Sequence, residues 1–471
     1  MKYDVIIVGA GPSGYFNAYE LAKLNPKMKV LLIDRGLDIT KRRCPVLEHK
    51  IAKCPVTLKG HNECYPACSI TNGFGGAGAY SDGKFNITTE FGGWLTEYME
   101  DDELLDLINY VDNINLKYGA TKTITNPNTP KVQEIELRAM SVGVKLLRAK
   151  VRHLGTEENL KILTKIYTDL KKKVDMKFST NVKDIIVKNG KVGGVILDDN
   201  TKIEAKYVVL GVGREGSSWL TDILEARGVK MTQNQVDIGV RVECDNRIMQ
   251  EINENLYEGK FVYRTKSGNS VRTFCSNPGG HVVVENYDGV VNVNGHSYND
   301  SKLHSKNTNF ALLVSHHFEE PFKKPNEYAY KVSKLANQLS CGSVIVQKFG
   351  DLLLNRRTTY KRLKEGFVKP TLKEAVPGDL ALVLPYKTLR SIVEMIRVLD
   401  HITPGIAMDH TLLYGVESKY YTAHPDINNE LEVNSIKNLY VAGDGAGLTR
   451  GLAQAGACGV YIARNINKKE K

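Results

Sequence analysis

The stretch Val5-Ile6-Ile7-Val8-Gly9-Ala10-Gly11-Pro12-Ser13-Gly14 decides the fold. Its apolar, β-branched run predicts a parallel strand buried on both faces, and the G-x-G-x-x-G that follows predicts a tight turn into a helix. Gly9 permits the turn, Gly11 lets a pyrophosphate approach the backbone, and Gly14 lets the helix pack on the strand. The helix start, with Ser13 in it, then faces the phosphates. The helical pattern runs through Tyr15, Ala18, Leu21, Ala22 and Leu24 to Pro26, and Val30-Leu31-Leu32-Ile33 reads as a second strand. That strand ends at Asp34, twenty residues beyond Gly14. A carboxylate there accepts hydrogen bonds from ribose hydroxyls, and Arg35 is a contact candidate beside it.

Near the other end, Leu439-Tyr440-Val441-Ala442 forms a short apolar strand that stops at Gly443-Asp444-Gly445-Ala446-Gly447, and Gly451-Leu452-Ala453-Gln454-Ala455-Gly456-Ala457 opens a helix of small residues. Small residues allow close approach of a large planar ligand, and the helix N-terminus presents positive charge to it. The pairing resembles the FAD-binding superfamily of glutathione reductase type. The resemblance implies FAD rather than NAD at the first site, Gly443 and Asp444 on the ribityl and pyrophosphate side, and the turn of Gly451 and Ala453 at the pyrimidine edge of the flavin.

Tyr207-Val208-Val209-Leu210-Gly211-Val212-Gly213-Arg214-Glu215-Gly216 also spells strand plus G-x-G-x-x-G, with Asp237 beyond it. Before it runs a β-meander: Val182 to Val187, an Asn189-Gly190 turn, Val192 to Leu197, a turn at Asp198 to Asn200, and Ile203 to Ala205. In the same superfamily such a meander leads into a strand that returns to the FAD domain. This makes Gly213 an FAD contact, in preference to a second nucleotide site.

Cys44, Cys54, Cys64 and Cys68 gather half of the eight cysteines in the loop 44–68, among Pro45, Pro55 and Pro66. Spacing alone leaves an iron–sulfur centre, zinc, a redox disulfide between Cys64 and Cys68, and plain thiols open. Cys244, Cys275, Cys341 and Cys458 read as small buried residues.

Directly after the cluster comes Asn72-Gly73-Phe74-Gly75-Gly76-Ala77-Gly78-Ala79-Tyr80-Ser81-Asp82-Gly83-Lys84, whose glycines let backbone amides lie against a flat ring. Here the chain resembles a family of FAD-dependent dehydrogenases, widespread in anaerobes, that carry a cysteine-rich segment followed by GFGGAGAxSDGK. Some of these are iron–sulfur flavoenzymes. The likeness continues through Arg152 to Thr156, Val236 to Glu243, and Asn277-Pro278-Gly279-Gly280. It implies Gly75, Gly76, Ser81, Asp82, Gly83 and Lys84 as cofactor contacts and Cys44, Cys54, Cys64 and Cys68 as ligands of a [4Fe-4S] cluster.

The expected fold is therefore α/β. An FAD-binding dinucleotide fold with a parallel sheet and a β-meander occupies residues 1–220 and 401–471, and an α+β substrate domain is inserted at 221–400. Strands around Phe261 to Tyr263 and His281 to Val284 and a helix over Ala329 to Leu339 belong to the insertion. His153, Arg241 and His296 are the candidates for substrate contact or proton transfer beside a flavin, with His281 a further one. Arg356-Arg357 reads as a surface pair.

At 471 residues and 42% apolar content the chain can bury a large core, which excludes a disordered chain or a disulfide scaffold. No apolar stretch reaches the length of a membrane span, and the chain opens straight into a strand, so a cytoplasmic protein is expected. The net charge of +11 permits an acidic partner such as ferredoxin or flavodoxin. The lysines, as in Lys171-Lys172-Lys173, read as scattered. No RNA module or aromatic–basic patch stands out, so a nucleic-acid partner is not expected. The reading is an FAD-dependent oxidoreductase acting on a small molecule and passing electrons through the cluster. An NAD(P)H-driven flavin reductase and a tRNA-modifying flavoprotein stand as alternatives.

Overall fold

The computed structural model describes residues 2–44, 50, 67–81, 83–256, 259–287, 289–297, 301–319, 321–322 and 324–471. They form two compact units, one of Met1–Thr125, Ala149–Thr232 and Thr422–Lys471, the other of Asn126–Arg148 and Gln233–Tyr421. The divisions thus fall at 232/233 and 421/422 rather than at 220 and 400. Residues 126–148 join the second unit because their strand Val144–Leu147 pairs with Lys260–Arg264 there.

The first unit is built on a seven-stranded sheet. Its order is Asp175–Lys177, Val30–Ile33, Lys2–Val8, Lys202–Leu210, Lys191–Leu197 and Val182–Lys188, with Leu439–Val441 also on Lys202–Leu210. The run quoted first is the centre of this sheet: Val5, Ile6 and Ile7 are fully buried, each worth about 1.5–3 kcal/mol relative to exposure. Lys202–Leu210 does two jobs. Its first half pairs antiparallel with the meander, and its second half runs parallel to both Lys2–Val8 and Leu439–Val441. The strand before Gly211 therefore closes the sheet that carries Gly9 and starts no second nucleotide fold. The meander turns on residues with positive φ, Asn189, Gly190 and Asn200, as its Asn-Gly signature predicts.

Helices Pro12–Leu24 and Leu452–Lys469 cross at a point where a side chain does not fit. A Cβ on Gly459 would lie 2.0 Å from the Ser13 carbonyl oxygen, and the Asn17 amide donates to the Gly459 carbonyl at 2.9 Å. This crossing joins the two ends of the chain.

The second unit holds an eight-stranded sheet in the order Val376–Pro377, Ile345–Lys348, Leu412–Lys419, Val236–Asp245, Asn307–His316, Ser270–Asn277, Lys260–Arg264 and Val144–Leu147. Nearly all its pairings are antiparallel. The hairpin His281–Tyr287 and Val290–His296 and the helix Pro325–Leu339 complete this α+β insertion. On Val236–Asp245 the period of two sends Val236, Ile238, Val240, Val242 and Cys244 into the apolar core and Asp237, Arg241 and Glu243 to the opposite face, where they too are fully buried. Of the cysteines expected to be buried, Cys244 and Cys458 are. Cys275 is half-buried, and Cys341 is exposed in the turn after helix Pro325–Leu339, with φ +53°. Among the described residues no helix is long and apolar enough to cross a membrane.

Replacing Gly459 by Val should force the two helices apart and lower stability by about 3 kcal/mol. Thermal unfolding of the variant should show a clearly reduced Tm, and an unchanged Tm would contradict the close crossing.

Candidate functional site

The glycines of the first unit separate into two kinds. At Gly9, with φ +102°, a Cβ would fall 2.4 Å from the Gly211 carbonyl oxygen, and at Gly14 it would fall 1.8 Å from that of Gly9. Protein backbone fills those spaces. On Gly11 a Cβ would meet only Gly76 Cα at 4.0 Å, and on Gly213 it would meet nothing within 4 Å. Glycine at these two positions leaves an open concavity at the start of helix Pro12–Leu24, whose N-cap Gly11 supplies no side-chain bond to the first amides. Amides with no side-chain cap among the described residues, together with the helix dipole, suit a pyrophosphate.

Two buried charges shape the walls of this concavity. Asp34 accepts from the amides of Ala10 (2.8 Å, Oδ2), Gly36 (2.7 Å, Oδ1) and Gly73 (2.9 Å, Oδ1), so most of its acceptor capacity goes to the protein's own backbone. Among the described residues Oδ2 takes a single donor, which leaves it further acceptor capacity. Arg42 was not singled out by sequence, yet it is 1% exposed and donates to four carbonyls: Ser69 (2.9 Å), Phe74 (2.6 Å), Ile70 (2.9 Å) and Gly76 (2.9 Å). Burial pushes its pKa down to about 10, partly offset by Tyr80 and Asp34, so it remains a cation at neutral pH. Its partners are carbonyls, which no sequence pattern announces.

Arg42 and Asp34 fold residues 68–80 onto the first glycine turn. The Gly75 amide donates to Ala10 O at 2.8 Å, and a Cβ on Gly76 would fall 3.0 Å from Gly11 Cα. Gly75 and Gly76 have φ of +87° and +56°, which glycine adopts without strain. Ser81 shapes the turn, donating to Gly78 O at 2.7 Å and accepting from the Gly83 amide at 3.2 Å, while Asn159 donates to Gly78 O at 2.7 Å. Lys84 lies in a strand opposite His153, and Asp82 is outside the described residues. Arg35 bonds Asn72 at 2.7 Å and Glu215 at 2.5 Å. Glu215 also accepts from Thr71 and Asn72, which makes it a second anchor of this loop.

From the C-terminal half, Gly443 has φ +79° and backs onto Ser13, whose Oγ would be 2.7 Å from a Cβ there. Asp444 accepts from Thr449 at 2.9 Å and faces Arg214 at 3.6 Å, and desolvation raises its pKa. Gly451 caps the helix that carries buried Ala453. Gln454 donates through Nε2 to Phe91 O at 3.1 Å, and its buried Oε1 has no donor among the described residues. A buried acceptor without a donor costs about 1–3 kcal/mol unless a ligand supplies one. The open glycine faces, the uncapped helix start and this orphaned acceptor fit FAD.

The remaining candidates are dispersed. His153 belongs to the first unit, Arg241 and His296 to the second. Arg241 is fully buried and bonded to Glu417 (3.3 Å), Asn309 (2.9 Å) and the Cys275 carbonyl (2.9 Å), so its described partners all belong to the protein's own interior. His296 is exposed at the end of the hairpin, opposite His281. Cys44 and Cys68 are half-buried, whereas Cys54 and Cys64 lie outside the described residues. Among the described residues no His, Cys, Asp or Glu group could hold a metal.

Comparison with known proteins agrees with this geometry. The family described as FAD-dependent protein, C-terminal domain-like, matches residues 230–420, nearly the span of the second unit, and that described as pyridine nucleotide-disulphide oxidoreductase matches residues 135–248. An uncharacterised protein of Clostridium beijerinckii is 27% identical over the whole chain, which spans 81% of it. L-proline dehydrogenase from P. horikoshii aligns with 99% of this chain and 94% of its own at 13% identity and a TM-score of 0.38. L-amino acid deaminase from Proteus vulgaris aligns with 100% and 94% at 12% identity and a TM-score of 0.38. Likenesses this distant bear on neither substrate nor mechanism. The fold is a mixed α/β FAD-binding fold, and the chain is an FAD-dependent oxidoreductase.

Gly11→Val should fill the open concavity and lower FAD affinity at least about 100-fold while leaving the apoprotein as stable as before, whereas Gly14→Val should destabilise the apoprotein itself. Flavin titration and urea unfolding of both apoproteins separate the two effects. Arg42→Leu should strip four carbonyls of their donor and cost about 3 kcal/mol or more in urea unfolding.

Proposed function

We propose that the chain is an FAD-dependent dehydrogenase that passes electrons between a small-molecule substrate and a one-electron carrier by way of its cysteine segment, with Cys44, Cys54, Cys64 and Cys68 holding a [4Fe-4S] cluster. The observation that carries the reading is the attachment of that segment. Cys44 follows Arg42 by two residues, and Arg42 grips the carbonyls of Ser69 and Ile70 just past Cys68 together with those of Phe74 and Gly76 in the glycine loop. The Cys68 carbonyl accepts from the Asn72 amide at 3.0 Å. Both ends of the segment are therefore rooted in the wall of the FAD concavity.

Bound FAD supplies two-electron chemistry that can be divided into single-electron steps. The chain's own part is to orient it. Gly11 and Gly213 would leave room for it, the amides at the start of helix Pro12–Leu24 would face its phosphates, and Asp34 would keep one acceptor for the ribose. Gln454 Oε1 offers an acceptor at the second helix start. An acidic carrier of ferredoxin or flavodoxin type suits the net positive charge. A reductase with its own nucleotide-binding domain is disfavoured, because the strand leading to Gly211 belongs to the FAD sheet.

Protein purified without oxygen should contain iron and sulfide at about four each per chain. Cys44→Ser with Cys68→Ser should abolish both and stop turnover with one-electron acceptors while FAD stays bound. A metal-free wild-type protein, or full one-electron turnover in the double variant, would overturn the reading.

A further inference from the structure

Residues 351–374 of the second unit contain seven Lys or Arg against three carboxylates, Asp351, Glu365 and Glu374, a local excess of four positive charges. The basic residues are spread along the chain, and seven of the 64 Lys and Arg fall in this one segment. Packing explains why it faces outward. Leu363, Val368 and Leu372 are buried with Val282, Val293 and Leu412, which leaves the intervening residues on the surface. Asp351, itself buried, takes Arg356 at 2.7 Å and Arg362 at 3.7 Å. Arg357, Lys361, Lys364, Lys369 and Lys373 remain exposed, and of these Lys361 faces Glu365 at 4.0 Å. The Asn307 amide donates to the Lys369 carbonyl at 2.9 Å, which brings the exposed Lys306 alongside.

Two aromatic rings stand among these cations. Tyr360 is 69% exposed and Phe367 is 86% exposed, its ring resting on His410 at 4.4 Å. A shallow, open cleft of about 450 Å³ is lined by Val283 and Val284 of the hairpin and by Thr371, Leu372, Lys373 and Glu374 at the end of the basic segment.

We propose that this face binds single-stranded nucleic acid, with Lys361, Lys364, Lys369 and Lys373 against phosphates, Phe367 and Tyr360 against unstacked bases, and the cleft receiving one base. A nearly fully exposed phenyl ring amid cations is a platform for a flat π-face, and its stacking adds to the phosphate contacts. An acidic protein would use the lysines and leave Phe367 in water. A duplex hides its base faces inside the stack, which favours the single strand. The proposal goes beyond the redox reading and does not depend on it.

The test is fluorescence anisotropy of a labelled mixed-sequence single-stranded RNA, and of the DNA of the same sequence, with the FAD-loaded full chain across a salt series. Bound flavin absorbance in every variant reports that the first unit is intact, and circular dichroism reports the second. Wild type should bind either strand with a log–log salt slope that Lys361→Glu, Lys364→Glu and Lys373→Glu together reduce by about 2. Phe367→Ala should weaken binding about tenfold with the salt slope unchanged. Absence of binding by wild type, or equal binding by the triple-lysine variant, would overturn the proposal. So would an unchanged affinity in Phe367→Ala together with displacement of the strand by polyglutamate at matched charge, which would make the face a dock for acidic proteins.

Discussion

Two opposite charges, Asp34 and Arg42, hold the FAD concavity together, and they do so by gathering backbone. The carboxylate collects three amides and the guanidinium four carbonyls, from segments that share no regular secondary structure. An isolated charge buried in protein is costly, and multiple hydrogen bonds to the ionised form offset the cost. Here the offset is also the architecture. Residues 68–76 form neither strand nor long helix, so these two side chains, together with the Glu215 contacts and the buried Phe74 ring, hold them against the turn at Gly9 to Gly14.

The parts of the fold legible in the sequence were those written in side-chain type and spacing. The β-branched run before Gly9, the Asn-Gly hairpin and the small residues from Gly451 onward each specify a local backbone. Their joint presence specifies the FAD-binding sheet, including the return of Lys202–Leu210 to it. What stayed hidden was written in the backbone of distant loops. Arg42 looks like any basic residue in Lys41-Arg42-Arg43, Glu215 like a surface acid and Asn159 like a polar helical residue, because their partners are carbonyls and loop groups that come together only on folding. Asp34, expected from its spacing to take a ribose, also gathers three backbone amides, which its spacing does not announce. The division of the chain was misplaced for a related reason, since a single strand pairing moves residues 126–148 into the second unit.

The second unit shows how alternation can mislead about function. A strand reading Asp237, Gly239, Arg241, Glu243 on one face looks like a catalytic surface, and arginine opposite a flavin is an attractive idea. The face is instead closed by protein. Arg241 meets Glu417, Lys419 bridges Glu417 (3.2 Å) and Glu285 (3.4 Å), and Glu243 accepts from Thr371 (2.6 Å), Tyr414 (2.5 Å) and Asn307 (2.9 Å). Burial raises the pKa of Glu243 against the pull of those donors. A Cβ on Gly295 would fall 2.0 Å from the Arg241 Nη2, so the hairpin seals the layer at a position where only glycine fits. Such a network fixes the hairpin on the sheet, and with it the cleft beside Thr371.

The two copies of G-x-G-x-x-G make the same point about motifs. In the first, the third glycine is forced by backbone, since a Cβ on Gly14 would lie 1.8 Å from Gly9 O. In the second, a Cβ on Gly211 would make ordinary contact at 3.6 Å, and one on Gly216 would meet the Val212 side chain at 2.8 Å. That third glycine serves a short 3-10 turn before helix Ser217–Glu225, not a strand–helix crossing. Identical letters therefore meet different physical demands. What distinguishes a nucleotide-binding turn is what fills the space beside each glycine: backbone at Gly9 and Gly14, and openness at Gly11. Gly213 is likewise open, and it follows a strand of the same sheet that carries Gly9.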